Sequence, residues 1–383
     1  MASARARILL LHSATGGGHQ RVARTVQAAL EARYGERVVV DQVDVLAGYA
    51  PWPFDRLPDW YSGLLWGGGR AYALCYRLLD EVQRARAISR LVWPRVRDSV
   101  LHLLTDHPAD VLVAFHPVPV HSICRGLEEI GSSSPMMSVG TDLAVMHAFW
   151  ADSRVQRYLV PTEAARAQLL RWGVPTGRVT ITGLPIDPRI VRVADQDPST
   201  LREQLGFHPE RRLVLTMAGG DGFGPVERVV QAIASNGLPA QLAVIAGRNS
   251  QLRERLARRN GGRAVRIEGF VDNIHEWLRA ADILVTKAGP TTIAEAAALE
   301  LPMILWGAIP AQETPNVELV VQREAGKWTP RPGATAEAVQ HLLEDPAAAA
   351  EMGQRAGNLI RRDAGDRIAQ ITWETAQEVI ESR

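Results

Sequence analysis

Lys287–Asn316, KAGPTTIAEAAALELPMILWGAIPAQETPN, is the stretch from which the fold can be read. The apolar run Ile283-Leu284-Val285 enters it as a strand and meets Ala288-Gly289-Pro290-Thr291-Thr292, where the spacing predicts a helix with Glu295 in its first turn. Gly289 leaves a bare Cα past which an anion can reach the backbone. Pro290 suits a first helical position, and the N–H groups of Thr291, Thr292 and Ile293 are expected to point at that anion with the helix dipole behind them. Met303–Trp306 is a second strand, ending in a loop that carries Gln312, Glu313 and Asn316. One subsite suits a diphosphate, and about twenty residues on another suits a hydroxyl-rich group. An ordinary βαβ crossover with a capped helix fits these residues equally well.

Outward from this stretch the same rhythm continues. Toward the C-terminus, helices are expected near Ala336–Leu343, Ala348–Arg361 and Ile368–Ile380. Before it, Leu213–Met217 runs into Ala218-Gly219-Gly220-Asp221-Gly222-Phe223-Gly224, and Val265–Glu268 runs into Gly269-Phe270-Val271. In the first half, strands at Arg7–His12, Val38–Val45, Val111–Phe115, Met136–Val139, Arg157–Val160 and Val179–Thr182 alternate with helical segments. Alternation of this kind predicts a parallel sheet in each half, with sites at the carboxyl ends of the strands. The 383 residues suit two domains. Asp187–Thr200, polar and without periodicity, reads as the linker between them.

Composition excludes several classes. A net charge of +1 gives no general basic field for nucleic acid. Cys75 and Cys124 lack metal-type spacing and fit a reducing cytosol. The N-terminal apolar run flows into a glycine loop and reads as a first strand, not a signal peptide. No run of eighteen apolar residues occurs. The loop Ala14-Thr15-Gly16-Gly17-Gly18-His19 is not G-x-G-x-x-G, because Arg21 takes the last glycine position, and no Walker loop is present. Asp195-Gln196-Asp197 lies in the predicted linker and reads as solvated surface, so no metal is expected.

Residues 48–97 break the rhythm. Four of the ten tryptophans (Trp52, Trp60, Trp66 and Trp93) fall here, and Arg70–Arg97 holds seven arginines against Asp80 and Glu81. Aromatic rings at headgroup depth with arginines toward anionic lipid would make an interfacial segment. At about 1 kcal/mol per basic residue, the local excess could supply at most about 5 kcal/mol of attraction. A pair of ordinary helices with core tryptophans is the alternative.

Taken together, Gly16-Gly17-Gly18-His19, Thr141-Asp142 with His147 and Trp150, Val160-Pro161-Thr162-Glu163, Gly183-Leu184-Pro185-Ile186, Gly219-Gly220, Gly269-Phe270-Val271, Ala288–Glu295 and Ala311-Gln312-Glu313 with Asn316 resemble the monogalactosyl- and glucosyl-diacylglycerol synthases. This is glycosyltransferase family 28, related to the lipid II N-acetylglucosaminyltransferase. The resemblance spans residues 8–362. It implies an α/β GT-B fold, two Rossmann-like domains with parallel sheets facing across a cleft. The expected boundaries are 1–187 for an acceptor- and membrane-binding domain, 188–200 for the linker and 201–362 for a UDP-sugar domain. A C-terminal helix, 363–383, is expected to pack back on the first domain.

The resemblance further implies inverting transfer of a hexose, galactose or glucose, from a UDP-sugar to diacylglycerol or a similar lipid, at the cytoplasmic face of the cell membrane. No cofactor is implied. Gly18 would bind the UDP-sugar, Gly219 and Gly220 would line the diphosphate, and Phe270 and Val271 would hold the uracil edge through backbone groups. Gly289, Pro290, Thr291, Thr292 and Ile293 would form the phosphate loop and Glu295 would take the ribose hydroxyls, with Gln312, Glu313 and Asn316 at the hexose. His19 is the expected general base, its cation disfavoured at a helix N-terminus; the alternative makes it a diphosphate ligand, with Asp142 or His116 as base. His12 and His121 are expected to be structural. Trp60, Trp66, Arg70, Arg77, Trp93, His147 and Trp150 are assigned to acceptor and membrane. Two departures stand out. Ala288 and Thr291 replace a proline and a glycine of the usual phosphate loop, and Asp187 stands where the family commonly has a basic residue. A UDP-N-acetylglucosamine 2-epimerase shares the fold and is the runner-up; a non-catalytic sugar-nucleotide-binding module is the third reading.

Overall fold

A computed structural model divides the chain into two α/β units, Met1–Ile186 with Arg362–Arg383, and Asp187–Arg361. Residues 5–13, 18–65, 68–219, 224–259 and 265–383 are described. Trp66 and Gly220, with most of the first glycine loop, lie outside them.

In the first unit the strands are β1 (Ala6–His12), β2 (Val38–Asp44), β3 (Val111–Ala114), β4 (Met136–Val139), β5 (Arg157–Val160) and β6 (Val179–Ile181). They pair in parallel in the order β2-β1-β3-β4-β5-β6. The central strands are apolar through their middle (ILLL in β1, VLVA in β3), as a sheet covered on both faces requires. The helices are α1 (Gly18–Tyr34), α2 (Leu57–Leu65), α3 (Arg70–Leu79), α4 (Val82–Asp106), α5 (Val120–Glu129) and α6 (Glu163–Arg171). Thr162 caps α6 by accepting from the Ala165 N–H at 3.2 Å.

The second unit opens with two short helices, α7 (Pro188–Val193) and α8 (Pro198–Gln204). Each has proline at its start and an aspartate cap, Asp187 or Asp197. The stretch expected as the linker is therefore helical, its buried Ile190 and Val193 outweighing its polar composition. Strands β7 (Leu213–Met217), β8 (Gln241–Ile245), β9 (Val265–Glu268), β10 (Ile283–Lys287), β11 (Met303–Gly307) and β12 (Gly326–Trp328) form a second parallel sheet, in the order β12-β11-β10-β7-β8-β9. Its helices are α9 (Val226–Ser235), α10 (Ser250–Arg259), α11 (Ile274–Ala280), α12 (Pro290–Ala298), α13 (Thr314–Gln322), α14 (Pro332–Glu344) and α15 (Pro346–Gly357).

The last helix, α16 (Ala364–Glu381), belongs to the first unit. Trp373 stacks on Tyr34 of α1 with ring centroids 4.4 Å apart, and Arg383 pairs with Asp110 at 2.7 Å. Both sheets reverse their strand order once, between β1 and β3 and between β7 and β10. In open α/β sheets ligands bind at such switch points, beyond the carboxyl ends of the strands.

Candidate functional site

At the first switch point the chain leaves β1 toward His19, the second residue of α1, and leaves β3 at Phe115-His116. The His19 Nδ1 lies 2.8 Å from the Phe115 carbonyl and 2.8 Å from the Thr141 hydroxyl. A carbonyl only accepts, so Nδ1 carries the proton and the neutral ring keeps its lone pair on Nε2. The His116 ring meets His19 edge-on with centroids 4.5 Å apart, and its Nδ1 accepts from the Val118 N–H at 3.3 Å. Burial draws the His19 pKa down to about 4, with a further lowering from the charge of His12 and an opposing rise from the Phe115 hydrogen bond. Burial outranks the helix N-terminus expected from sequence. It holds His116 well below the ordinary range too, and lowers His12. His19, His116 and Thr141 thus meet at one place, with burial disfavouring the cation of both imidazoles.

Asp142, next along the chain, is buried and accepts the Trp150 indole N–H at 3.2 Å. The same loop is pinned to α3: Asp80 accepts from the Ala148 N–H at 2.8 Å, and His147 Nε2 lies 3.3 Å from the Tyr76 carbonyl. His147 is buried, which lowers its pKa, and its ring packs edge-on against Tyr76 at 4.5 Å. Trp150 is fully enclosed, and Trp93 is a core residue under the Arg125 guanidinium. Trp93, His147 and Trp150 therefore do not face a membrane. For Trp93 its spacing carries the signal, since Trp93, Val100, Leu103 and Leu104 share one helical face. His121, also buried, pairs with Asp152 at 2.6 Å, and Arg154 grips the same carboxylate at 2.7 Å. These partners hold the Asp152 pKa down against burial.

What does stay outside is an amphipathic surface on α2, α3 and α4. Trp60, Leu74, Leu78 and Leu91 are exposed by 49%, 61%, 53% and 71%, with Arg70, Arg77, Arg86 and Arg90 exposed among them. Ala73 faces inward on α3. Among the described residues no helix is long and apolar enough to cross a membrane.

At the second switch point, Gly219 follows β7 in the left-handed region (φ 75°), and a Cβ there would stand 2.9 Å from Lys287 Cε. Gly289 precedes α12; a Cβ there would stand 3.3 Å from Lys287 Nζ and 3.7 Å from Glu313 Oε1. Gly219, Lys287, Gly289 and Glu313 are brought together across 95 positions of sequence. The Ile293 N–H bonds to the Gly289 carbonyl at 3.0 Å, so it is not an anion donor. With proline at 290, the unspent N–H groups at this helix start are those of Thr291 and Thr292. Glu295 lies in the second turn, not the first, and is buried, with Arg189 close enough for their charges to interact.

In the loop expected at the hexose, Glu313 already has partners. Its Oε1 pairs with Lys287 and its Oε2 accepts the Ile309 N–H at 2.8 Å, both from within the protein. Asn316 is buried too, donating to the Ala288 carbonyl at 3.0 Å. Gln312 remains partly open, following Ala311, whose φ of 70° is costly for a residue with a Cβ. Phe270 is half exposed under the Arg248 guanidinium at 5.2 Å, and the Asp272 carbonyl, two residues on, accepts from Arg189 at 3.0 Å. Lys287, Arg189 and Arg248 were not singled out by sequence spacing. Among the described residues, no group of three His, Cys, Asp or Glu side chains is placed to hold a metal ion.

A family model described as monogalactosyldiacylglycerol (MGDG) synthase matches residues 19–186, and the glycosyltransferase family 28 C-terminal domain matches residues 213–367. A probable monogalactosyldiacylglycerol synthase of Glycine max is 32% identical over 382 residues, covering 97% of this chain and 72% of the relative. The monogalactosyldiacylglycerol synthase of Spinacia oleracea is 32% identical over 384 residues, covering 98% and 73%. Among solved structures, MurG of Acinetobacter baumannii is similar with a TM-score of 0.61 at 13% identity, covering 96% of this chain and 99% of that one. WaaG, a glycosyltransferase involved in lipopolysaccharide biosynthesis, gives 0.57 at 16%, covering 96% and 99%. The UDP-GlcNAc 2-epimerase of Neisseria meningitidis gives 0.59 at 13%, covering 97% and 100%. At such identities these likenesses establish the GT-B fold alone.

Proposed function

The chain belongs to the monogalactosyldiacylglycerol synthase family, the hexosyltransferases of glycosyltransferase family 28, and on that footing we propose that it transfers a hexose from a UDP-sugar to the hydroxyl of diacylglycerol. The proposed course is inversion, giving a β-glycolipid. The donor sugar is galactose or glucose, with galactose favoured by the relatives' name. In this reading the lipid hydroxyl gives its proton to His19 Nε2 as its oxygen attacks the anomeric carbon, and the bond to the β-phosphate oxygen breaks. Gly219, Gly289, Thr291 and Thr292 receive the diphosphate, the last two through N–H groups at the start of α12. Phe270 and Val271 take the uracil, Glu295 the ribose, and Gln312 the hexose.

The observation that carries the reading is the His19 tautomer, fixed by the Phe115 carbonyl so that a neutral imidazole keeps its lone pair on Nε2. An exposed surface of leucines, Trp60 and arginines on α2–α4 supports peripheral attachment to an anionic membrane, in this proposal the cytoplasmic face of the cell membrane. The epimerase alternative shares the fold but has no use for such a surface. The test offers UDP-galactose, UDP-glucose and UDP-N-acetylglucosamine with diacylglycerol liposomes and identifies the product by mass and anomeric coupling. A β-hexosyl diacylglycerol is expected; an α-linked product, or none on lipid, refutes the proposal.

A further inference from the structure

We infer that Lys287 is the cation of the donor site, held by Glu313 in the free protein and transferred to the donor's diphosphate when the nucleotide binds. This deepens the donor reading above and rests on it.

The chain has 43 basic residues, and only Lys287 and Lys327 are lysines. Lys287 ends β10 beside the β7–β10 switch point, where its stem crosses the bare backbone of Gly219 and its ammonium reaches the bare backbone of Gly289. Side chains at either glycine would crowd it. A compact ammonium suits this gap better than the broad guanidinium used almost everywhere else in the chain.

The ammonium is also poorly placed for stability alone. Gly289 begins α12, and a cation beside a helix N-terminus opposes the helix dipole. The fold offsets this with Glu313, a buried carboxylate whose second oxygen is anchored by the Ile309 N–H. An ammonium has three N–H donors, and Glu313 Oε1 takes one. A diphosphate at the start of α12 would satisfy the Thr291 and Thr292 N–H groups and the lysine together. In the transfer, the acceptor oxygen bonds to the anomeric carbon and the carbon–oxygen bond to the β-phosphate breaks. The electron pair stays on the phosphate oxygen, the hydroxyl proton goes to His19, and Lys287 balances the charge that grows on the leaving UDP. Glu313 thereby becomes a positioning residue for the lysine.

Calorimetric titrations with UDP and with uridine, which lacks phosphates, test this. Lys287→Met keeps the stem over Gly219 and removes the charge. It should weaken UDP binding by about 10- to 100-fold, the range of a charge-assisted hydrogen bond, while uridine binds as in the parent. Glu313→Gln removes the competing carboxylate and should tighten UDP binding by about threefold or more, again with uridine unchanged. UDP affinity within about twofold of the parent in Lys287→Met, or an equal loss for uridine and UDP, overturns the inference. A parent protein that binds neither ligand overturns the donor reading itself, and the inference with it.

Discussion

The pKa of His19 makes a prediction that separates the structure from an ordinary histidine. The perturbation is pH. Burial holds the folded pKa at about 4, below the ordinary 6.5, and in the mechanism proposed above the neutral ring is the base. Activity is therefore present above the folded pKa and lost as pH falls through it. At pH 5 about 9% of such rings are protonated, so kcat/KM keeps about 90% of its plateau. A histidine at 6.5 would be about 97% protonated and leave roughly 3%. The expected difference at pH 5 is thus about thirtyfold. The assay is kcat/KM for the UDP-sugar on diacylglycerol liposomes from pH 4.5 to 9, since this ratio reports the free enzyme. Circular dichroism must accompany it, because His12, His19 and His116 all have lowered pKa values. An unfolded chain binds more protons than the folded one below 6.5, so stability falls as pH drops from there. An acid limb centred near 6.5 with unchanged circular dichroism refutes the reasoning.

Other outcomes follow from the same contacts. His19→Ala should lower kcat by about 10²- to 10⁴-fold, the usual worth of a general base, with UDP affinity retained; loss of UDP binding in a titration would make it a nucleotide ligand instead. Leu74→Asp with Leu78→Asp should release the protein from anionic diacylglycerol vesicles in a flotation assay, by about tenfold or more per leucine, while thermal stability hardly changes. Trp93→Ala should instead cost about 3–5 kcal/mol of stability in urea titration, with vesicle binding of the folded protein intact.

The fold was legible because parallel strands covered on both faces must be apolar throughout, and runs such as Leu9–Leu11 and Leu213–Met217 are bounded by glycine loops. The candidate loops were legible for the same reason, since β–α alternation puts every β-to-α loop at one end of its sheet. Three features were not. Glu313 has the character of a sugar ligand, and only its neighbours in space, Lys287 twenty-six residues earlier at Oε1 and the Ile309 N–H at Oε2, commit both of its oxygens within the protein. Trp93 sits among arginines in α4, so local composition favours a membrane while the helical period favours the core; packing decides for the core. Glu295 falls in the second turn because α12 begins at Pro290, and the first intrahelical bond then consumes the Ile293 N–H.

The departures at 187, 288 and 291 resolve differently once their partners are visible. Asp187, acidic where the family commonly has a basic residue, accepts from its own helix at the Arg189 N–H, 2.9 Å away, and grips the Arg189 guanidinium through both oxygens. Hydrogen bonds from Arg189 hold the Asp187 pKa down against burial. That guanidinium also reaches the Asp272 carbonyl beside Phe270 and Val271, and its field extends to Glu295. The positive charge at this point of the chain has thus moved two residues on, with Asp187 as its anchor. Ala288 is fully buried and its carbonyl receives Asn316, so its side chain serves packing and only its backbone faces a polar partner. Thr291 is the departure that stays at the helix start, where its N–H keeps the direction a glycine would give and its Cβ narrows the space beside it. Of the three, it is the substitution through which the loop proposed to hold the diphosphate would change its fit to a donor.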